Sequence, residues 1–270
     1  MASKSAVINV MVAAAQKAAQ RLVRDIGEIE NLQISRKGPA DFVSTADTTA
    51  EKTLIAELKK ARPKFGFLTE EGTEIIGQDT SQRWIIDPLD GTTNFLHGIP
   101  HFAISIALER NKEIVAGVIY EPVHNEMFWA EKGSGAFLNG RRLRVSGRND
   151  MADAIFATGI PFLGKPDHDL FLKQAEAVMA VSAGIRRFGA ASLDLAYVAA
   201  GRFDGFWEAG LKPWDIAAGV IIVQEAGGMV TGLTGKKDML ETGNIIAAND
   251  QLHVRLERLL KKAGKEVKSS

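Results

Sequence analysis

The stretch from Phe102 to Leu143 constrains the fold most. Apolar runs at Ala103 to Leu108, Ile114 to Tyr120 and Glu126 to Ala130 are separated only by Asn111-Lys112, Pro122 to Asn125 and Lys132 to Gly135. Connections this short leave no room for a crossover helix, so the runs read as an antiparallel meander. Helical patterns flank it. Val7, Met11, Ala14, Ala18, Leu22 and Ile26 recur every three or four positions, which predicts one apolar face of a long first helix. After a loop or tight hairpin from Ser35 to Asp41, a second helix is expected, capped by Asp47 or Thr48 and stopped by Pro63. Phe65 to Thr69, Arg83 to Ile86, Ala154 to Gly159 and Ile185 to Phe188 read as strands. His168 to Val181, Ser192 to Ala200 and Asp215 to Ala226 read as helices, and Lys261 to Ser270 as a frayed basic tail. Strands and helices that do not strictly alternate point to a layered α+β architecture with a boundary near residue 148. The expected lobes are residues 1–148 (α+β) and 149–265 (α/β), joined in one compact unit.

Composition narrows the chemistry. Lysine plus arginine equals aspartate plus glutamate, 33 of each, so no overall field draws in nucleic acid or an anionic membrane. Cysteine is absent, which excludes disulfides, thiolate metal sites and a cysteine nucleophile. No apolar run is long enough to span a bilayer, and Val7 to Ala15, broken by Asn9, reads as helix rather than as a signal peptide. A cytoplasmic protein without membrane or nucleic-acid partners is expected.

The carboxylates carry the functional signal. In Trp84-Ile85-Ile86-Asp87-Pro88-Leu89-Asp90-Gly91-Thr92, an apolar strand runs into Asp87, and Pro88 biases Asp87 toward an extended conformation, so a turn is expected to begin there. Asp87 and Asp90 then converge, the Leu89 carbonyl can join them, and Gly91 lets the backbone approach an anion. Two carboxylates and a carbonyl suit a hard cation such as magnesium. An ordinary Asx turn explains an isolated motif of this kind equally well. It does not explain Glu70-Glu71 at another strand end, or Asp215 at a helix start where a plain N-cap is the competing role. Leu89-Asp90-Gly91-Thr92 resembles the loop of haloacid-dehalogenase phosphatases, but Pro88 occupies the position of their nucleophilic aspartate. Water activated by metal is therefore expected in place of a phosphoaspartyl intermediate. His97 and His101 read as satisfied loop histidines, since hard cations favour oxygen. Trp84, Phe95, Phe102 and Trp214 read as packing residues.

These residues resemble the inositol monophosphatase family of lithium-sensitive, magnesium-dependent phosphatases. Asp87 to Thr92 matches its first signature, Trp214-Asp215-Ile216-Ala217-Ala218-Gly219 its second, and Glu70-Glu71 its upstream acidic pair. The resemblance spans most of the chain, from Lys37 and Asp47 through Gly189-Ala190-Ala191 and Glu208 to Gly227-Gly228. It implies a five-layer αβαβα sandwich, a homodimer, and two or three Mg2+ ions per active site. Glu70, Asp87 and the Leu89 carbonyl would hold the first ion and Asp87, Asp90 and Asp215 the second, with Glu70 assisting a weaker third through water. The resemblance makes Glu70, Asp47 and Thr92 catalytic, the last two orienting the attacking water. Substrate contacts fall to Asp90, Gly91, Thr92, Ala190, Ala191, Glu208 and Asp215, the amides of Ala190 to Ser192 being free to bind a polar oxygen. Lys37 reads as a solvated loop lysine that, if near the site, could steer phosphate. The implied substrate is myo-inositol monophosphate or a related phosphorylated polyol or sugar. Fructose-1,6-bisphosphate, histidinol phosphate, NADP and adenosine bisphosphate are the rivals, with a regulatory partner-binding role on the same scaffold as the alternative of another class.

Overall fold

The structure is a computed structural model that describes residues 4–28, 34–38 and 41–268. Helices α1 (Ala6–Asp25) and α2 (Thr45–Ala61), the second preceded by a hairpin of β1 (Ile34–Gly38) and β2 (Asp41–Ser44), form one outer layer. Beneath it lies a seven-stranded sheet in sequence order: β3 (Phe65–Thr69), β4 (Asp79–Asp90), β5 (Ala103–Arg110), β6 (Glu113–Glu121), β7 (Glu126–Glu131), β8 (Gly135–Leu138) and β9 (Arg141–Arg142). The short helix α3 (Thr92–Leu96) follows β4. β3 and β4 run parallel and every later pair is antiparallel, which is the expected meander.

A five-stranded sheet, ordered β11-β10-β12-β14-β13, comes from β10 (Ile155–Thr158), β11 (Gly184–Arg186), β12 (Gly205–Glu208), β13 (Met229–Thr231) and β14 (Ile245–Ala248). Helices α5 (Ala191–Ala199) and α6 (Pro213–Glu225) lie between the two sheets. Helices α4 (His168–Met179) and α8 (Asp250–Lys268) cover the far face of the smaller one, and α7 (Met239–Thr242) is a single turn. The result is the expected five-layer αβαβα sandwich.

Side-chain alternation explains the layers. On β4 to β7, Trp84, Ile86, Ile104, Ile106, Leu108, Val118 and Trp129 face α1 and α2, while Ile85, Ala107, Ile119, Phe128 and Ala130 face α5 and α6. Period-two apolarity on both faces is what a strand buried on both sides requires. Helix α6 is apolar around its whole circumference, Ile216 to Val223 all being buried, as its place between two sheets demands. Its approach to β6 depends on Gly117, where a Cβ would stand 2.7 Å from the Ala218 carbonyl oxygen.

Two sequence expectations fail here. The N-cap of α2 is Ser44, not Asp47 or Thr48; Asp47 sits three residues into the helix and completes a capping box. Lys261 to Lys268 is the end of α8 and not a frayed tail, the last two residues of that expectation lying outside the described residues: Leu252, Leu256, Leu260 and Ala263 form a buried stripe, and Lys261, Lys262 and Lys265 lie off it. Among the described residues no helix is long and apolar enough to cross a membrane.

Candidate active site

The sequence expectation of a turn at Asp87 is replaced by a bulge. Strand β4 continues through Pro88 to Asp90, but its register on β5 shifts: Asp87 opposes Ser105 and Asp90 opposes Ala103. Two residues, Pro88 and Leu89, thus face Ile104 alone. In a regular strand, residues three apart point to opposite faces. The extra residue cancels that inversion, so Asp87 and Asp90 emerge on the same side, a familiar use of bulges beside functional sites. Proline fits because it has no N–H to lose from the ladder. The Leu89 N–H donates to Asp87 Oδ1 at 2.9 Å, which fixes the first carboxyl. Gly91 then turns the chain at φ 91°, where a side chain would crowd the His101 carbonyl at 3.0 Å.

Asp47 meets the loop from the opposite side. Its Oδ2 accepts from Ser44 N (2.9 Å) and Ser44 Oγ (2.5 Å), and its Oδ1 lies 2.9 Å from Thr92 Oγ1. The Thr92 oxygen is also 2.9 Å from the Leu89 carbonyl. A hydroxyl has one proton, so donation to Asp47 leaves the Leu89 carbonyl available to another partner and the threonine lone pairs available to water.

From the smaller sheet's side, α5 points its N-terminus at Asp90. Asp90 Oδ2 accepts from Ser192 N at 2.8 Å and Ser192 Oγ at 2.5 Å, with a further bond from the Ala191 amide. The amides of Ala191 and Ser192, expected to be free for a ligand, are thus committed to Asp90; Ala190 is the N-cap, and Ser192 caps a carboxylate rather than its own helix. Asp215, at the third position of α6, accepts from Lys212 N at 2.7 Å. Glu208, at the end of β12, is folded over Gly159, where any Cβ would collide with its carboxyl, and accepts from the Gly159 N–H.

These acids share one electrostatic problem. Burial raises Asp87 well above the ordinary carboxylate range, Glu70, Asp90 and Asp215 add repulsion, and a hydrogen bond with Glu70 acts in the same direction. Burial likewise raises Asp215 well up, against the Lys212 amide, with repulsion from Asp90 and Glu70. Asp90 is raised by burial to about 6 even though Ser192 opposes the shift. Glu208 is raised to about 8 by burial and by Asp90. Among the described residues no three His, Asp or Glu side chains are set to hold a metal ion as they stand. The donor chemistry nevertheless fits one. Every candidate ligand is a hard oxygen, and buried carboxyls that repel one another are what a divalent cation neutralises.

Of the remaining predicted residues, Trp84, Phe95 and Phe102 are fully buried packing residues. His101 differs from expectation: its Nε2 is buried without a hydrogen-bond partner, and burial, with the charge of His124, lowers it to about 4. Its ring lies tilted against Phe188, centroids 5.1 Å apart. The side chain of Lys37 lies outside the described residues. Asp194, in α5, is a buried acid, repelled by the charge of Glu208, that the sequence reading passed over. Its one signal was a carboxylate inside the apolar run Leu193-Asp194-Leu195-Ala196.

Five layers with acids gathered at strand ends and helix starts define a phosphatase of the layered αβαβα class. The chain belongs to the inositol monophosphatase family, which it matches over residues 3–267; the family is in general metal-dependent. It is 55% identical over 260 residues to the inositol-1-monophosphatase of Mesorhizobium japonicum, covering 96% of this chain and 98% of that one. It is 47% identical to the Nus factor SuhB of Pseudomonas aeruginosa, covering 90% and 91%. The crystal structure of the extragenic suppressor protein SuhB from Bartonella henselae superposes with a TM-score of 0.94 at 61% identity, over 96% of this chain and 99% of that one.

Proposed function

We propose that this protein hydrolyses the phosphate monoester of a small polyol, myo-inositol monophosphate foremost, with magnesium as its ion. The observation that carries the reading is the bulge that turns Asp87 and Asp90 to one side, where Asp215 and Glu70 bear on both. Glu70, Asp87 and the Leu89 carbonyl would hold one ion, and Asp87, Asp90 and Asp215 a second. Bound there, magnesium supplies positive charge against the phosphate and lowers the pKa of water. The chain's own residues do the rest. Thr92, whose hydroxyl donates to Asp47, presents a lone pair that accepts from the attacking water; as the water passes its proton to Thr92 Oγ1, the threonine's own proton moves to Asp47, which becomes a neutral carboxyl. The Gly91 and Thr92 amides face the phosphate, while Glu208, with Ala191 beside it, accepts from the alcohol's hydroxyls. A homodimer in the cytoplasm completes this reading, which rests on likeness to the family.

The deciding experiment is phosphate release from inositol 1-phosphate, fructose-1,6-bisphosphate, histidinol phosphate, NADP and adenosine bisphosphate, with and without magnesium. Release from inositol 1-phosphate that vanishes with chelator is expected. Metal-independent release, or strong preference for another ester, would overturn the metal or the substrate assignment respectively. The Nus factor name of the relative at 47% identity favours a second reading, a partner-binding role independent of turnover. A pull-down with Asp87→Asn separates the two: a partner retained by an inactive variant assigns binding to the scaffold.

A further inference from the structure

Helix α5 contains a buried acid that the proposed chemistry does not use. Asp194 is 1% exposed, and its Oδ1 is buried with no hydrogen-bond partner. Nearly all buried polar atoms in folded proteins are bonded, so an orphaned carboxyl oxygen costs stability and calls for an explanation. Its placement offers one. Side chains of a helix tilt toward its N-terminus, so the Asp194 carboxyl lies over the first turn of α5, whose amides hold Asp90. The charge that bears on it most is Glu208, followed by Asp90 and Arg187. Arg187 does not satisfy it: that side chain is exposed and lies over Gly189.

We propose that Asp194 is a positioning residue for the alcohol-binding end of the pocket, setting the orientation from which Glu208 meets the substrate's hydroxyls. The inference rests on the reading of Glu208 given above. Glu208 is anchored by the Gly159 amide, and β12, which it ends, packs against α5, which carries Asp194. In that arrangement one Glu208 oxygen accepts from a polyol hydroxyl, and a single proton held between the other Glu208 oxygen and Asp194 bonds the orphaned Oδ1. The chain hydroxyl to Glu208 to Asp194 then leaves no buried oxygen unpaired, and no covalent bond changes.

The test compares Asp194→Leu and Asp194→Asn on inositol 1-phosphate and on p-nitrophenyl phosphate, which has no alcohol hydroxyl. Leucine should raise KM for inositol 1-phosphate about tenfold, the worth of one hydrogen bond to a charged group, with less change in kcat and in the aryl ester kinetics. Asparagine, which keeps an acceptor, should recover most of the loss. A leucine variant with KM for inositol 1-phosphate within twofold of the wild type, or with both esters impaired alike, overturns the inference while leaving the phosphatase reading intact. A wild-type protein inactive on both esters overturns that reading, and this one with it. If the leucine variant does not fold, Asp194→Asn combined with Glu208→Gln decides: effects on KM that overlap support action through Glu208, and effects that multiply independently refute it.

Discussion

At the start of α2, the aspartate in the third helical position has both carboxyl oxygens engaged by neutral donors: Asp47 accepts from Ser44 N, Ser44 Oγ and Thr92 Oγ1. At the start of α6, the aspartate in the same position has one oxygen engaged, by Lys212 N, and its carboxyl bears on Asp90, Glu70 and Glu208. Serine returns the capping bond at α2. Lysine, with no acceptor atom, cannot return it at α6. The same helix-start device thus gives a satisfied acid in one place and an acid with spare valence among like charges in the other. The difference separates an acid suited to hold a hydroxyl from one suited to hold a cation.

Replacing each acid by its amide should break the comparison most visibly. Asp215→Asn keeps the bond to Lys212 N but removes a charge, so turnover should fall by about 10³-fold or more while the fold survives. Its thermal stability in chelator should not drop, because one repelling carboxylate is gone. Asp47→Asn should lower kcat by about 10²–10³-fold through the Thr92 hydroxyl and also destabilise, by about 1 kcal/mol, the helix whose capping box it closes. Magnesium-dependent stabilisation measured by thermal melting should vanish with Asp215→Asn and persist with Asp47→Asn. The reverse pattern would assign the ion to the wrong helix.

Two smaller effects sharpen the contrast. Glu208→Ala should weaken binding of polyol phosphates by roughly 1.5–3 kcal/mol, seen in KM, and spare an aryl phosphate. Equal loss of kcat on every ester would place Glu208 in the reacting machinery instead. The smallest effect is on stability against pH. Glu208 is raised from 4.5 to about 8 and Asp90 from 3.8 to about 6. The folded protein therefore holds protons that the unfolded chain has released. That contribution is complete below the ordinary carboxylate values and is lost as pH climbs to about 8. Melting temperature in chelator should decline across this interval, and magnesium should flatten the decline. A metal-free melting curve indifferent to pH would remove the electrostatic account of the site.

Much of this architecture was legible in sequence because its signals are local. Phe65 to Thr69 is a strand with the expected limits, and the meander follows from connections too short for a helix. The carboxylates that gather were also legible. How they gather was not, because the register of β4 on β5 belongs to the pair and not to either strand: Asp87-Pro88-Leu89-Asp90 reads as a turn until Ser105 and Ala103 are set opposite it. The same holds for the α5 amides. A helix start looks open to a ligand from within its own segment, and only the packed structure brings Asp90 onto Ser192. The last helix was missed because its lysines outweigh its leucine stripe in a short window, although that stripe packs under β14.

Helix α6, enclosed by both sheets, has a kinetic consequence. Asp215 reaches Asp87 only after the larger sheet has formed its strands and the smaller sheet has closed over the helix, and pairings so distant along the chain form slowly. A refolding chain should therefore regain helical signal early and catalytic competence last, in a single late phase. Partial opening of either sheet would take Asp215 away from its partners, so a half-assembled chain is expected to turn over no substrate. Activity in this fold reports completion of the whole sandwich.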